Sequence, residues 1–256
     1  MDLSNKSEEE ISPTKEDNED LLPAKPISPI QKFVAELLGT CFLVFIVTGI
    51  PVFSYDEDED EVVYNGCFEG AFVLTSMIYL FGRISGAHFN PAVTIPMFLR
   101  KKITTIECGY YIIAQIIGAF IGSIFVGLCK KGNFKYLAGN CVGEEGEEIG
   151  GDYFSAFFIE IILTFGLVFV IFASTIKANN FGNLTGLIVG ISLYFLGIAG
   201  AKVSGGSLNP ARSIAPAIIM AIKGENRPLK QLWIYIIAPI IGGIAAGYLT
   251  ILFEWK

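Results

Sequence analysis

Charged residues are scarce in this sequence. Only 17% of its 256 residues are Asp, Glu, Lys or Arg, whereas 52% are hydrophobic and 28 are glycine. An ordinary soluble domain needs a wetted surface and carries about 25% charged residues. The shortage therefore excludes a soluble globular protein and indicates a chain that lies largely within a lipid bilayer.

Residues that build metal and catalytic sites are also few. There is one histidine, and no two cysteines have CxxC spacing. These absences exclude a metal cluster and a disulfide framework. The sequence also lacks a paired nucleophile and base, a phosphate-binding loop and a cofactor motif, so we expect no enzymatic activity, no catalytic residue, no cofactor and no bound metal. We expect no nucleic-acid partner either.

Residues 1–32 lack the apolar side chains that folding requires. They are polar, acidic and rich in proline, which predicts a disordered tail. No basic start followed by an apolar core is present, so the tail is not interpreted as a signal peptide. Two further acidic runs, at 56–61 and 144–148, are interpreted as solvated loops. Calcium binding is the alternative, but neither run has the spaced oxygen ligands and glycine of a calcium loop.

Six apolar runs follow the tail, each close to the 20 residues that a helix needs to span about 30 Å of hydrocarbon. They lie near 33–53, 64–83, 109–129, 153–176, 184–203 and 231–253. Two further apolar stretches, 89–99 and 208–222, are too short to cross, because about ten helical residues cover only about 15 Å. The pattern predicts six transmembrane helices and two half-spans.

The two half-spans begin with similar sequence motifs, SGAHFNPAVT at Ser85 and SGGSLNPARS at Ser204. They belong to a full internal duplication, because YIIAQIIGAF at Tyr111 reappears as YIIAPIIGGI at Tyr235, an offset of 235 − 111 = 124. The repeats cover about 33–130 and 153–253, within a predicted channel domain at 33–256. Each holds three full spans, an odd number, so the second repeat must be inverted in the membrane relative to the first.

Inversion brings the two half-helices together near the membrane midplane, with their N-termini facing. Each starts with asparagine followed by proline, at Asn90 with Pro91 and at Asn209 with Pro210. Asparagine caps an orphan amide, and proline at the first helical position loses no hydrogen bond. Two positive helix ends would repel cations and protons, while a neutral solute can accept hydrogen bonds from the asparagine amides.

These residues carry a resemblance to a known family. HFNPAVT, SLNPARS and the duplicated Glu36 and Glu160 resemble the aquaporin, or major intrinsic protein, family over residues 33 to about 253. The resemblance implies an all-α aquaporin-like bundle of six transmembrane helices and two re-entrant half-helices, with one pore per subunit. It also implies a homotetramer in a plasma or vesicle membrane, with both termini in the cytosol.

The resemblance also implies roles for particular residues. The two pore motifs are Asn90, Pro91, Ala92 and Asn209, Pro210, Ala211. Arg212 lines a constriction that forms the selectivity filter. Glu36 and Glu160 accept hydrogen bonds from the backbone of the re-entrant loops, and His88 orders the first loop.

The remaining filter positions depart from the family pattern. They fall on Gly70, Gly197 and Gly206. Water-selective members of the family typically have an aromatic residue at the first of these positions and a histidine at the second. Three glycines predict a wider and less polar constriction that admits solutes larger than water. Ser213 and the short segment after it point towards a water channel instead.

We therefore expect a passive channel that conducts water down an osmotic gradient, excludes protons and ions, and passes larger neutral solutes. The alternative is a broad facilitator for glycerol and urea, and a third reading, of another class, is an ion-coupled secondary transporter. Glu69 enters the second span beside the filter. It is interpreted as an interfacial carboxylate or, alternatively, as an ion-pair partner of Arg212 that gates the pore.

Overall fold

A computed structural model of the protein describes residues 26–53, 58–135, 137–142, 152–175 and 181–253. Two short 3-10 turns, Gly182–Leu184 and Thr250–Phe253, accompany the α-helices in these ranges. In chain order the α-helices are α1 (Pro29–Phe53), α2 (Glu59–Ser85), α3 (Pro91–Leu99), α4 (Thr105–Cys129), α5 (Tyr153–Thr175), α6 (Thr185–Ser204), α7 (Pro210–Ile222) and α8 (Arg227–Leu249).

Six of these helices, α1, α2, α4, α5, α6 and α8, are long and apolar enough to cross a membrane. The most outward-facing are α2 and α6, whose apolar windows are only 17% and 22% buried. Large apolar side chains such as Phe72 and Phe195 are exposed on them. In water such a surface would be unfavourable, whereas in lipid it costs nothing. The predicted all-helical membrane architecture with six spans is therefore confirmed.

Several helices begin earlier than the apolar runs predicted. Helix α1 starts at Pro29 rather than near residue 33. Helix α4, which corresponds to the third apolar run, starts at Thr105 rather than near 109. Thr104 and Glu107 form a reciprocal capping box at the start of α4. First turns of this kind are polar because they satisfy free backbone amides, so a hydropathy pattern alone misses them. Of the predicted tail, residues 1–25 lie outside the described residues.

The predicted internal duplication is visible in how the helices pack. In the first half α1 packs against α4, and in the second α5 packs against α8. A Cβ at Gly118 would lie 2.3 Å from the Leu37 carbonyl, and one at Gly242 would lie 2.2 Å from the Ile161 carbonyl. Both residues of the second pair are offset by 124 from those of the first. Glycine lets the backbones touch, which is how helices associate in lipid.

The two half-helices lie inside this bundle. Helix α3 has 9 residues and α7 has 13, so at 1.5 Å per residue neither spans the membrane. Each contacts both α4 and α8, and the two half-helices also contact each other. They are therefore enclosed by full-length helices from both repeats.

The bundle has two different ends. At one end, the loop segment 137–142 packs into the protein, with Leu137 and Val142 fully buried. We call this end the arginine mouth, because Arg212 contacts the segment there. At the other end, Lys32 of α1 donates to Glu107 of α4 at 2.5 Å. We call this end the terminal mouth, because the described chain begins there.

Candidate functional site

The site is built around the tips of the two half-helices. Asn90 caps α3, with its Oδ1 accepting from the Ala92 amide at 2.8 Å. Asn209 caps α7 in the same way, accepting from the Ala211 amide at 3.0 Å. Pro91 and Pro210 are the first helical residues. Both asparagines have extended backbones, the conformation that a side-chain cap requires.

The two tips are joined by reciprocal hydrogen bonds. Asn90 donates from Nδ2 to the Leu208 carbonyl at 2.8 Å, and Asn209 donates from Nδ2 to the Phe89 carbonyl at 2.9 Å. Each amide nitrogen carries two hydrogens, so one remains on each asparagine. Both asparagines border the same internal cavity. The two asparagines therefore lie side by side where the two repeats meet, and each has one side-chain N–H that is not used in these hydrogen bonds.

Two buried carboxylates support the loops that carry these tips. Glu36 accepts from the backbone amides of His88 at 3.0 Å and Phe89 at 2.8 Å. Glu160 accepts from the amides of Ser207 and Leu208, both at 2.8 Å. Both carboxylates are fully buried. These bonds hold the loops although Phe89 and Leu208 have positive φ angles of 51° and 53°, a conformation uncommon outside glycine.

A tyrosine that is duplicated in the two repeats gives the loops a further support, which the sequence motifs do not predict. Tyr111 donates its hydroxyl hydrogen to the Ser85 carbonyl at 2.6 Å. Tyr235 donates to the Ser204 carbonyl at 2.8 Å. The repeated YIIA motif, at an offset of 124, is the sequence signal that could have indicated that both tyrosines support a loop. Each tyrosine ties a full-length helix to the end of the helix that leads into a re-entrant loop.

His88 lies between the first loop and the cavity. Its Nδ1 is 3.2 Å from the Thr94 hydroxyl, and its ring meets that of Tyr111 edge to face. Gln115 donates to both Thr94 and Glu36 at 2.8 Å. The histidine is thereby fixed in a network that also holds the Glu36 carboxylate.

Arg212 is buried although it is charged, with only 7% of its surface exposed. Its Nη1 donates to the Ala138 carbonyl at 3.0 Å, and its Nε has no hydrogen-bond partner among the described residues. Gly70, Gly197 and Gly206 border the same cavity as Arg212. All four residues that the sequence assigned to the filter therefore line the same cavity.

The cavity has a volume of about 920 Å³ and connects the two mouths. Lys32 and Glu107 border the cavity at the terminal mouth, and Val62 borders it at the arginine mouth. Asn90 and Asn209 lie between these ends. Such a passage through a membrane bundle can conduct a solute past the asparagines and the arginine.

Asn140 is a site residue that no feature of the sequence singles out. Its Nδ2 donates to the Gly205 carbonyl at 3.0 Å, and its Oδ1 accepts from the Ser213 hydroxyl at 2.8 Å. It lies two residues from Ala138, the acceptor of Arg212. Asn140 therefore ties the loop segment 137–142 to the loop and half-helix that carry the arginine. No motif or repeat marks this loop, so only the tertiary structure reveals the contact.

Replacing Asn140 by alanine should weaken the contacts that hold the loop segment 137–142, and with it Arg212, in position. The Gly205 carbonyl and the Ser213 hydroxyl each lose a partner, and the loss of buried partners costs about 1–3 kcal/mol each. We expect a lower melting temperature and a measurable leak of potassium ions in proteoliposomes. Asn133→Ala is the matched control, because Asn133 is exposed and its side chain accepts a hydrogen bond from the nearby Lys135 amide. A variant with wild-type melting and no leak would show that Asn140 does not position the arginine.

Glu69 does not occupy the place that the gating hypothesis required. It is exposed on α2, and it is not among the described residues that border the cavity. Within the described ranges no ion pair joins it to Arg212. Cys67 and Gly70 turn towards the cavity, and the helical period carries Glu69 away from them. The gating interpretation is therefore corrected, and Glu69 stands as a carboxylate on the outer surface of α2.

The sequence profile of the Major intrinsic protein family matches residues 24–250. The chain belongs to the major intrinsic protein family. It is 38% identical over 220 residues to glycerol uptake facilitator protein-like 6 of Lactiplantibacillus plantarum, covering 86% of this chain and 96% of that protein. It is 34% identical over 221 residues to nodulin-26 of Glycine max, covering 86% and 76%.

A solved structure shows the same fold. The aquaglyceroporin from Plasmodium falciparum superposes with a TM-score of 0.76 at 23% identity, covering 87% of this chain and 96% of that one. As a major intrinsic protein, the chain is an integral membrane channel for water or small neutral solutes such as glycerol. Members of this family are channels rather than enzymes. Over the described residues, no group of three or more His, Cys, Asp or Glu side chains is placed to hold a metal ion.

Proposed function

We propose that this major intrinsic protein is a passive facilitator that conducts water and uncharged solutes of glycerol size and excludes ions. The observation that carries the proposal is the lining of the cavity. Gly70, Gly197 and Gly206 border the same cavity as Arg212, and none has a side chain to narrow it. The name of one similar protein, glycerol uptake facilitator protein-like 6, agrees with a glycerol-sized passage.

Ion exclusion follows from the charges that face the cavity. Two half-helices direct their positive N-termini at Asn90 and Asn209, and Arg212 adds a full positive charge. A cation would lose its hydration shell and meet only positive potential there. A polyol instead replaces its hydration with hydrogen bonds from the asparagine amides and from the guanidinium.

The ion-coupled alternative requires a carboxylate that faces the passage and exchanges a proton or a sodium ion. Glu36 and Glu160 are the paired intramembrane candidates. Both are fully buried, both accept hydrogen bonds on both oxygens, and neither is among the residues that border the cavity. This geometry favours a static pore over a coupled transporter.

The deciding experiment is stopped-flow light scattering on proteoliposomes. We expect osmotic water flux and uptake of glycerol and urea well above those of empty liposomes, with no potassium or proton current. Water flux without glycerol uptake would establish the narrower alternative, a water channel. Uphill accumulation of a solute driven by an ion gradient would contradict the proposal and support the coupled transporter.

We further propose that the protein is a homotetramer in a plasma or vesicle membrane, with both termini in the cytosol. The segment 54–61 contains no lysine or arginine, whereas 83–102 contains four. Positive residues concentrate on the cytosolic side of membrane proteins, which supports placing the terminal mouth there. Labelling of an engineered terminal tag in intact and permeabilised cells tests the orientation, and native mass spectrometry tests the assembly.

A further inference from the structure

One cysteine lies on the cavity-facing side of α2. The residues of this helix that border the cavity include Val63, Cys67, Gly70 and Leu74. They recur every three or four positions and so form one face of the helix. Cys67 precedes Gly70 by one turn, on the side of the arginine mouth. The other four cysteines, all of which lie in the described part of the chain, are absent from the cavity lining.

The Cys67 side chain occupies the space beside a filter glycine. A Cβ built on Gly197 would lie 3.1 Å from the Cys67 Sγ and 3.6 Å from its Cβ. A Cβ on Gly206 would lie 3.1 Å from the Gly197 carbonyl oxygen. The Cys67 thiol thus occupies the space that a side chain at position 197 would fill.

Arg212 supplies a second observation at the same place. Arg212 and Cys67 both border the cavity. The arginine is more than nine-tenths buried, and its Nε has no partner among the described residues. The cavity lining therefore carries one strong donor group and one weakly polar thiol near glycines that offer no side chain.

We infer that Cys67 is a specificity-determining residue of this channel, whose thiol replaces the side chain missing at Gly197 and sets the upper size of the solutes that pass Arg212. The inference rests on the proposed function. It also predicts that a group attached to the Cys67 sulfur enters the passage and closes it.

The first test is a size series of linear polyols, from glycerol to xylitol and sorbitol, in proteoliposomes. Cys67→Ala should raise the permeability of xylitol relative to glycerol by about tenfold or more, the discrimination that a methylene-sized change in a pocket provides. Cys67→Ser keeps a side chain of similar size and should stay near the wild-type ratio. Cys129→Ala, an exposed cysteine away from the cavity, is the control. Equal ratios in Cys67→Ala and wild type would overturn the inference.

The second test uses methyl methanethiosulfonate on the wild-type channel. The Cys67 thiol loses its proton to solvent and attacks the divalent sulfur of the reagent. A disulfide to a methylthio group forms, and methanesulfinate leaves with the electron pair of the broken bond. Water and solute flux should fall towards the rate of empty liposomes and return after reduction with dithiothreitol.

In Cys67→Ala the other four cysteines remain, and flux should be insensitive to the reagent. Block that persists in this variant would place the reactive thiol elsewhere and contradict the inference. The two proposals fail separately. A wild type that conducts water but no polyol would contradict the proposed solute range, whereas reagent block of water flux would still locate Cys67 in the passage.

Discussion

Gly70→Phe is expected to reduce glycerol uptake by about a hundredfold while water flux remains measurable. Gly70 borders the cavity, and a Cβ there would lie 3.2 Å from the Val47 Cγ2, so a small shift of that side chain accommodates the first atom. Because Gly70 and Val47 both border the cavity, we expect the phenyl ring to extend into the passage. A pocket discriminates by about tenfold or more for each methylene-sized change, so a ring should reduce glycerol permeability by about a hundredfold. Light scattering in proteoliposomes measures both fluxes.

Controls separate an effect on the passage from an effect on folding. Gly109→Phe adds the same side chain at an exposed position with nothing within 4 Å, and it should conduct glycerol like the wild type. Gly70→Ala should give an intermediate glycerol rate. If Gly70→Phe is monodisperse and still takes up glycerol at the wild-type rate, the constriction does not lie at Gly70 and the proposed solute range loses its main support.

The fold could be predicted from the sequence because its signals are strong and local. Six runs of apolar residues, two half-length runs and an internal repeat specify the number of spans and the inversion. Physical reasons also explain the boundary errors. A first turn such as that at Thr104 and Glu107 is helical but polar, so hydropathy assigns it to a loop.

The site was predictable only where the duplication marks it. Glu36 and Asn90 each have a counterpart in the second repeat, and the structure places both pairs around the half-helix tips. Asn140 and Cys67 have no counterpart. Asn140 acts through a loop that crosses to the other repeat, and Cys67 matters because Gly197 lies across from it. Such contacts depend on which helices become neighbours, and no local pattern records them.

The difference between Glu69 and Cys67 illustrates the same limit. They are two residues apart on α2, and the sequence drew attention to the acid because it is unusual in a membrane span. The helix instead turns the thiol towards the cavity and the carboxylate outward. A charged residue can therefore stand out in a sequence while its unremarkable neighbour contacts the filter.

Replacing Glu36 by alanine should cause the largest loss of stability among single substitutions at the loop supports. The carboxylate accepts four hydrogen bonds, two of them from the backbone amides of His88 and Phe89 and the others from Ser85 and Gln115. Alanine strands both backbone amides in a buried loop at about 1–3 kcal/mol each. We expect the unfolding free energy in detergent to fall by about 2–6 kcal/mol.

Conservative and control variants define what the loss means. Glu36→Gln keeps one acceptor oxygen and should fall between alanine and the wild type, while Glu69→Ala removes an exposed carboxylate and should melt like the wild type. Glu160→Ala should also destabilise the protein, but somewhat less than Glu36→Ala, because Glu160 accepts three hydrogen bonds, from Ser204, Ser207 and Leu208 in the second repeat. If both alanine variants kept wild-type thermal unfolding, the loops would be held by the tyrosine and asparagine bonds instead. The duplicated carboxylates would then need a role in conduction, which returns the coupled transporter to consideration.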